Sequence, residues 1–428
     1  MTDVRIPFER YRLDNGLRVI LSRESSAPVV AVNLWYNVGS RNERPGRTGF
    51  AHLFEHMMFQ GSEHVPESQH FAHIEKAGGS LNGSTWLDRT NYYETLPSHF
   101  LELALWLESD RMGWLLPAMT QDKLDNQRDV VKNERRWRVD NQPYGDWDER
   151  IQAAMYPPEH PYHHSVIGSM EDLDAASLED VEQFFRTYYA PNNAVLTICG
   201  DFDETQVRTL VERYFGEIPA GPQIPGLPGT TSVPELLASP VRDHVESDVP
   251  LARIYRAYRI PTYGSAGFYP AAVAAHALGS GKASRLYRTL VREQRIAQDV
   301  AAYAFPIVVG AAMLVIWATA KPGVDVAALE RALDEQVAAL ESLEQGEVDR
   351  AIHMLELDRL EELQRVGERA DQLSMFETLF DDPGLINSEL DRYRAVSAAE
   401  VRAFAVRALV PANSATLVYE PARAGGAK

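Results

Sequence analysis

The sequence predicts an α+β protein of two homologous domains, each a mostly antiparallel sheet with helices packed on one face. Three observations carry that expectation. The chain has 428 residues, more than one hydrophobic core usually supports. Two segments repeat at an offset of 220 residues, SLEDVEQFFRTYYAPNNAVLTI from Ser177 and SAAEVRAFAVRALVPANSATLV from Ser397. Helical and strand patterns come in runs rather than in strict alternation.

At that offset Ser177 matches Ser397, Val181 matches Val401, Phe184 matches Phe404, Pro191 matches Pro411 and Asn193 matches Asn413. Each copy reads as a Ser-capped helix, a Pro-Asn turn and a strand. In the first half GLRVILS, VVAVNLWYNV, NYYETL and AVLTICG are strand-like, while Gly49 to Phe59, His70 to Lys76, Phe100 to Trp114 and Leu124 to Val139 are helix-like. The second half repeats the mixture with ARIYRAYRI, AAMLVIWATA and long helices from Val324 to Met375. The Pro- and Gly-dense stretch PAGPQIPGLPGTTSVP suits an extended linker. The expected division is a domain at 1–218, a linker at 219–235 and a homologous domain at 236–428.

Hydrophobic residues make up 45% and charged residues 24%, the composition of a folded, water-soluble protein. A net charge of -19 argues against nucleic acid as a partner, because phosphates call for clustered Lys and Arg. The single cysteine, Cys199, sits in an apolar run and reads as a buried structural thiol. No apolar run reaches the length of a membrane span, and MTDVRIPFERYRLDNGL lacks the pattern of a targeting leader. The expected location is cytoplasmic, or periplasmic if a leader has been removed.

GFAHLFEHMMFQG contains His52, Glu55 and His56 in the H-x-x-E-H pattern of the inverted zincins. On a helix His52 and His56 lie one turn apart on one face, so both imidazoles can reach one ion, with Glu55 beside them. Zinc suits two imidazoles and a carboxylate with a water in the fourth position, and Glu55 is then placed to take that water's proton as it attacks a peptide carbonyl. Cobalt or manganese can occupy the same ligands.

Further motifs stand around this one in order: LDNGLRVIL, VNLWYNVGSRNE, TGFAHLFEHMMFQGSE, GGSLNGSTWLDRTNYYETLP, RDVVKNE and PNNAVLTICGD. With them the chain resembles, over nearly its whole length, the pitrilysin family of zinc metallopeptidases, in particular the processing-peptidase-like bacterial members with two-domain subunits. The resemblance implies Zn2+ as cofactor and Glu134 as the third ligand, a choice that the residues alone leave open. It implies a further glutamate two turns before Glu134 that orients the ligand through hydrogen bonds, where this chain has Gln127. It also implies that a peptide substrate lies as an added strand along Gly79 to Tyr93, with Asn82 near the scissile bond. Gly83 follows Asn82 where the family usually has alanine, and Asn-Gly by itself also reads as a turn.

The second half has no counterpart of the metal site: offset 220 places Ala272, Ala275 and His276 under the motif and Met354 under Glu134. The resemblance implies substrate contacts from an arginine and a tyrosine seven residues apart. Arg292 matches the arginine, but Asp299 stands at the tyrosine position. A dimer is therefore expected, with a paralogous subunit supplying the arginine-tyrosine pair, or a homodimer as alternative. The function expected is that of a zinc-dependent endopeptidase acting on short or unstructured peptides. Its rival is a non-catalytic scaffold subunit of the same fold, like the core subunits of respiratory complexes. GSGKAS around Lys282 lacks the first glycine and the Ser or Thr of a phosphate loop, and GGSLN fails the nucleophile-elbow pattern. HPYHH, with His160, His163 and His164, reads as a surface loop without metal.

Overall fold

The computed structural model describes residues 5–422. The chain opens with β1 (Glu9–Arg12), β2 (Arg18–Arg23), β3 (Val29–Tyr36), α1 (Phe50–Met57), α2 (Gln69–Lys76), β4 (Ser80–Thr85), β5 (Thr90–Pro97), α3 (Leu101–Trp114) and α4 (Gln121–Arg135). It continues through α5 (Trp147–Met155), α6 (Met170–Asp174), α7 (Leu178–Tyr188), β6 (Ala194–Gly200) and α8 (Glu204–Phe215). Residues 216–240 hold neither helix nor strand. Then follow β7 (Val241–Ser247), β8 (Arg253–Ile260), α9 (Phe268–Gly279), β9 (Ala297–Phe305), β10 (Ala312–Ala320), α10 (Val326–Ala338) and α11 (Gln345–Leu363). The last elements are α12 (Val366–Phe380), α13 (Glu389–Arg394), α14 (Ala398–Ala408) and β11 (Ser414–Pro421).

Two sheets result, ordered β1-β2-β6-β3-β5-β4 and β7-β11-β8-β10-β9. They share one wiring. β6 runs parallel to β2 and antiparallel to β3, and β11 runs parallel to β7 and antiparallel to β8. The repeated segments supply the matching parts: Ser177 with Asp180 and Ser397 with Glu400 each form a reciprocal capping box at the start of α7 and α14. The fold is the α+β duplication that the repeats predict.

By compactness the chain forms two units, and each takes a piece of the other half of the sequence. One comprises 1–135, 164–228 and 360–388; the other comprises 136–163, 229–359 and 389–428. Thus α12 belongs to the first unit and α5 to the second. The two helices are equivalent under the duplication, since offset 220 places Val366 over Asp146.

In the first unit, alternate residues of β3 (Val30, Val32, Leu34 and Tyr36) enter a core with Phe54 of α1, Leu105 and Leu107 of α3 and Val211 of α8. The intervening residues face α12. The Trp35 indole donates to Asp371 at 2.7 Å, and Ser374 of α12 donates to Thr197 of β6 at 2.8 Å. This core also buries charge. Arg111 pairs with Glu108 through Nε at 2.9 Å, its guanidinium lies 4.1 Å from the Tyr92 ring centroid and 5.1 Å from that of Phe59, and His70 stands 3.8 Å from Glu108. The Arg111 and His70 partners hold the Glu108 carboxyl down at about 2 against the opposing pull of burial. Burial and the neighbouring Glu108 charge push Glu94 well above the carboxylate range. Cys199 is buried, as its apolar setting predicts, and burial pushes its thiol up to about 12.

In the second unit Trp147 of α5 stacks on Tyr255 of β8 at 4.9 Å, and Arg259 donates from Nε to the Met155 carbonyl at 2.8 Å. His160 departs from the surface loop expected for HPYHH. It is buried, stacks on Tyr156 at 4.7 Å and accepts the Tyr162 amide at 3.1 Å. Its ring serves as a flat filler, and burial lowers its pKa to about 4. No helix among the described residues is long and apolar enough to cross a membrane.

Candidate metal centre

Helix α1 starts where the chain can turn sharply. Gly49, at φ 85°, is its N-cap, and a Cβ there would sit 2.6 Å from the Ile167 carbonyl oxygen. A cap side chain is replaced by the buried carboxylate of Glu43, which accepts the Gly49 amide at 2.9 Å and the Ala51 amide at 2.7 Å. Burial raises the Glu43 pKa well above its ordinary value, while the two amides pull it back. Glu43 lies within VNLWYNVGSRNE, but that string gives no sign that its carboxylate fixes the start of the helix.

One turn apart on α1, His52 and His56 bring their rings to 4.9 Å in an edge-to-face arrangement. Glu134 reaches them from α4: its Oε2 is 3.3 Å from His56 Nε2 and 3.8 Å from His52 Nε2. One ligand atom from each residue lies within 4.8 Å of the others, the one such grouping among the described residues. Ligands about 2.0–2.2 Å from a tetrahedral zinc stand roughly 3.4 Å apart, so the spacing and the N, N, O donor set both fit that ion. Gln127, two turns earlier on α4, is buried and donates to Asn126 at 2.9 Å.

Glu55 is turned toward β4. Its Oε2 accepts the Thr85 hydroxyl at 2.6 Å, and burial holds its pKa above the ordinary value against the opposing pull of Thr85, His56 and Arg89. β4 leaves no room for a side chain beside it at Gly83: a Cβ built there would lie 3.1 Å from Glu55 Cγ, 3.1 Å from the Phe59 ring and 3.2 Å from the Tyr92 ring. Asn82 and Gly83 are strand residues opposite Tyr93 and Tyr92, so the turn reading of Asn-Gly is overturned. β4 is the edge of its sheet, with Asn82 exposed on it. Neither Thr85 nor Glu43 was marked in advance by residue type or spacing.

The first unit thus gathers His52, Glu55, His56, Glu134, Gln127 and Asn82. Arg292 belongs to the second unit and is exposed on the short π-helix Tyr287–Glu293. Asp299 lies on β9, where it accepts the Thr319 hydroxyl at 3.0 Å with Arg253 at 3.9 Å. The counterpart of α1 is α9, whose Ala272 and Ala275 are buried core residues.

Comparison with known proteins falls on both halves of the chain. Residues 18–163 match the family described as "Insulinase (Peptidase family M16)", and residues 175–355 match "Peptidase M16 inactive domain". A Helicobacter pylori protein named zinc protease PqqE is 30% identical over 384 residues, covering 88% of this chain and 82% of the relative. The chain belongs to peptidase family M16. A mitochondrial-processing peptidase subunit beta from Blastocladiella emersonii is 29% identical to this M16 chain over 273 residues, 63% of the chain and 56% of the relative. Among solved structures, that of a protease from Helicobacter pylori superposes with a TM-score of 0.91 at 25% identity, covering 97% of this chain and all of that one. A complex III structure from Candida albicans shares the M16 fold at a TM-score of 0.78 and 16% identity, over 96% of this chain and 95% of that one.

Proposed function

We propose that the chain is a zinc-dependent endopeptidase that hydrolyses short or unstructured peptides extended along β4, with His52, His56 and Glu134 as the metal ligands and Glu55 as the base. One observation carries the reading: two imidazoles on α1 and a carboxylate on α4 converge at zinc spacing, with a half-buried carboxylate one residue from His56 and facing a free strand edge. Zinc bound there supplies Lewis acidity toward the scissile carbonyl and lowers the pKa of water. The open edge of β4 offers main-chain hydrogen bonds to a substrate strand, which tolerates many side chains and orients the scissile bond near Asn82. Glu55, held by Thr85, accepts the proton of the attacking water and delivers it to the departing amine. Gln127, on the same helix as Glu134, is the candidate that the resemblance offers for orienting that carboxylate, while its amide donates to Asn126.

The test is hydrolysis of quenched fluorescent peptides by the wild type and Glu55→Gln at matched zinc content. General-base catalysis is worth about 10²–10⁴-fold, so the variant should fall in kcat by that range while keeping its zinc. Activity equal to wild type would refute the assignment. Inactive wild type with zinc bound would favour the scaffold reading.

Asp299 supports a second element of the proposal. The position where the resemblance calls for a tyrosine is held by Thr319 and Arg253, leaving Arg292 without that companion on this chain. We therefore propose that a paralogous subunit completes substrate binding, consistent with a relative that is itself named as a subunit. Adding that subunit should raise activity, and a purified chain that gains nothing from it would count against the pairing.

A further inference from the structure

We infer that Asp371 is a positioning residue for the edge strand β4, acting from α12 on the sheet face opposite Glu55; the inference rests on β4 carrying the substrate.

The carboxylate of Asp371 collects three donors on one oxygen: Trp35 Nε1 at 2.7 Å, Asn91 Nδ2 at 2.9 Å and Asn33 Nδ2 at 3.3 Å. All three donor residues are buried in β3 and β5, so removing the acceptor strands their N–H groups away from water. With Asn91 held by its amide nitrogen, its Oδ1 faces the edge and accepts Ser84 Oγ at 2.6 Å and Arg89 Nη1 at 3.0 Å. Arg89 also donates to the Ser84 carbonyl at 3.0 Å and lies over the Trp35 ring at 5.4 Å, so the two routes out of Asp371 meet again at Ser84.

Ser84 stands between Gly83, where a Cβ would lie 3.1 Å from Glu55 Cγ, and Thr85, whose hydroxyl donates to Glu55. Strand alternation puts Ser84 on the α12 face while Gly83 and Thr85 face α1. The edge strand is therefore gripped from both faces at adjacent residues. An edge strand has one hydrogen-bonded neighbour, here β5, so side-chain ties across that pair fix its position for an incoming strand. The same tie makes a residue from late in the sequence part of the sheet beside the metal centre.

The test compares Asp371→Ala, Asp371→Asn and Ser84→Ala by steady-state hydrolysis of a quenched peptide, with zinc content and far-UV circular dichroism measured on each. Asp371→Ala should raise KM about tenfold, with kcat changed less than threefold and zinc retained. Asp371→Asn keeps an oxygen for the three donors and should restore KM to within about threefold of wild type. Ser84→Ala removes the hydroxyl link to Asn91 at a half-buried residue and leaves the Arg89 bond to the Ser84 carbonyl; it should raise KM by a smaller factor than Asp371→Ala, and combined with Asp371→Ala should add little more. The inference is overturned if folded Asp371→Ala has wild-type KM, if the Asn variant is as impaired as the Ala variant, or, should Asp371→Ala not fold, if Ser84→Ala leaves KM unchanged. The peptidase reading fails separately, on wild-type turnover by Glu55→Gln.

Discussion

Replacing Glu94 by glutamine should make the protein less sensitive to alkaline pH. Glu94 is buried beside Glu108, and its pKa is raised well above the unfolded value. The sign of the consequence follows from linkage. A carboxyl whose folded pKa exceeds the unfolded value of about 4.3 contributes stability that is fully present below that value and is lost as pH rises toward the folded pKa. Each proton held only by the folded state costs about 1.4 kcal/mol per pH unit over that window. Over each pH unit of that window the wild type should therefore lose about 1.4 kcal/mol relative to Glu94→Gln, because glutamine keeps the neutral shape without a proton to surrender. The unit holding this cluster has roughly 230 residues, a size at which 1 kcal/mol corresponds to about 2–4 °C, so the gap in melting temperature should widen by about 3–6 °C per pH unit of that window. Scanning calorimetry of both proteins at pH 5, 6, 7 and 8, with metal removed from each by the same chelator, measures it. Glu108→Gln is the control: it strands Arg111, should cost about 3–5 kcal/mol, and should lower the melting temperature throughout. Parallel wild-type and Glu94→Gln curves across the pH range would refute the assignment of a buried proton to Glu94.

Three further outcomes are expected. His56→Ala removes one of the three proposed ligands and should release zinc, read as metal per chain by elemental analysis after dialysis, whereas Gln127→Ala, if its amide orients Glu134, should weaken zinc about 10–100-fold without abolishing binding. Gly83→Ala places a methyl 3.1 Å from Glu55 and Phe59, neighbours backed by Arg111; it should cost about 1–3 kcal/mol and lower kcat at unchanged zinc content, and activity at or above wild type would show that the pocket has slack. Cys199, with its thiol near 12 and fully buried, should resist thiol reagents at pH 8 until the protein is unfolded; fast labelling of the native chain would contradict that burial.

The internal duplication was legible because capping and turn residues are local signals: Ser177 with Asp180, and Ser397 with Glu400, announce a helix start to anyone reading four residues. The two histidines and Glu55 were legible for the same reason, since helical periodicity alone puts them together. Glu134 was reached only through resemblance, because which carboxylate meets two imidazoles is decided by how α4 packs on α1. Glu43, Thr85 and Asp371 escaped altogether. Each is an ordinary polar residue whose role depends on a partner elsewhere in the fold, from the nearby Gly49 for Glu43 to Trp35 and Asn91 for Asp371. His160 was misread because a polar-looking HPYHH run gives no hint of the aromatic wall supplied by Tyr156. β9 was not singled out either, since its apolar alternation is interrupted by Gln298 and Asp299.

The exchange of α5 and α12 has a consequence for how the chain is made. The sheet of the first unit is complete once β6 has been synthesised, yet the helix that covers its second face lies some 170 residues further on. Until then Trp35, Asn33 and Asn91 have no Asp371 to meet, and an apolar and amide-lined surface stays wet on the ribosome. Contacts of such long sequence separation are slow to form, because the intervening loop must close before they repay its entropy. Maturation of the unit that holds His52, His56 and Glu134 is thereby tied to completion of nearly the whole polypeptide, so a chain truncated at the linker should emerge as a sheet with one bare side and should be prone to aggregation.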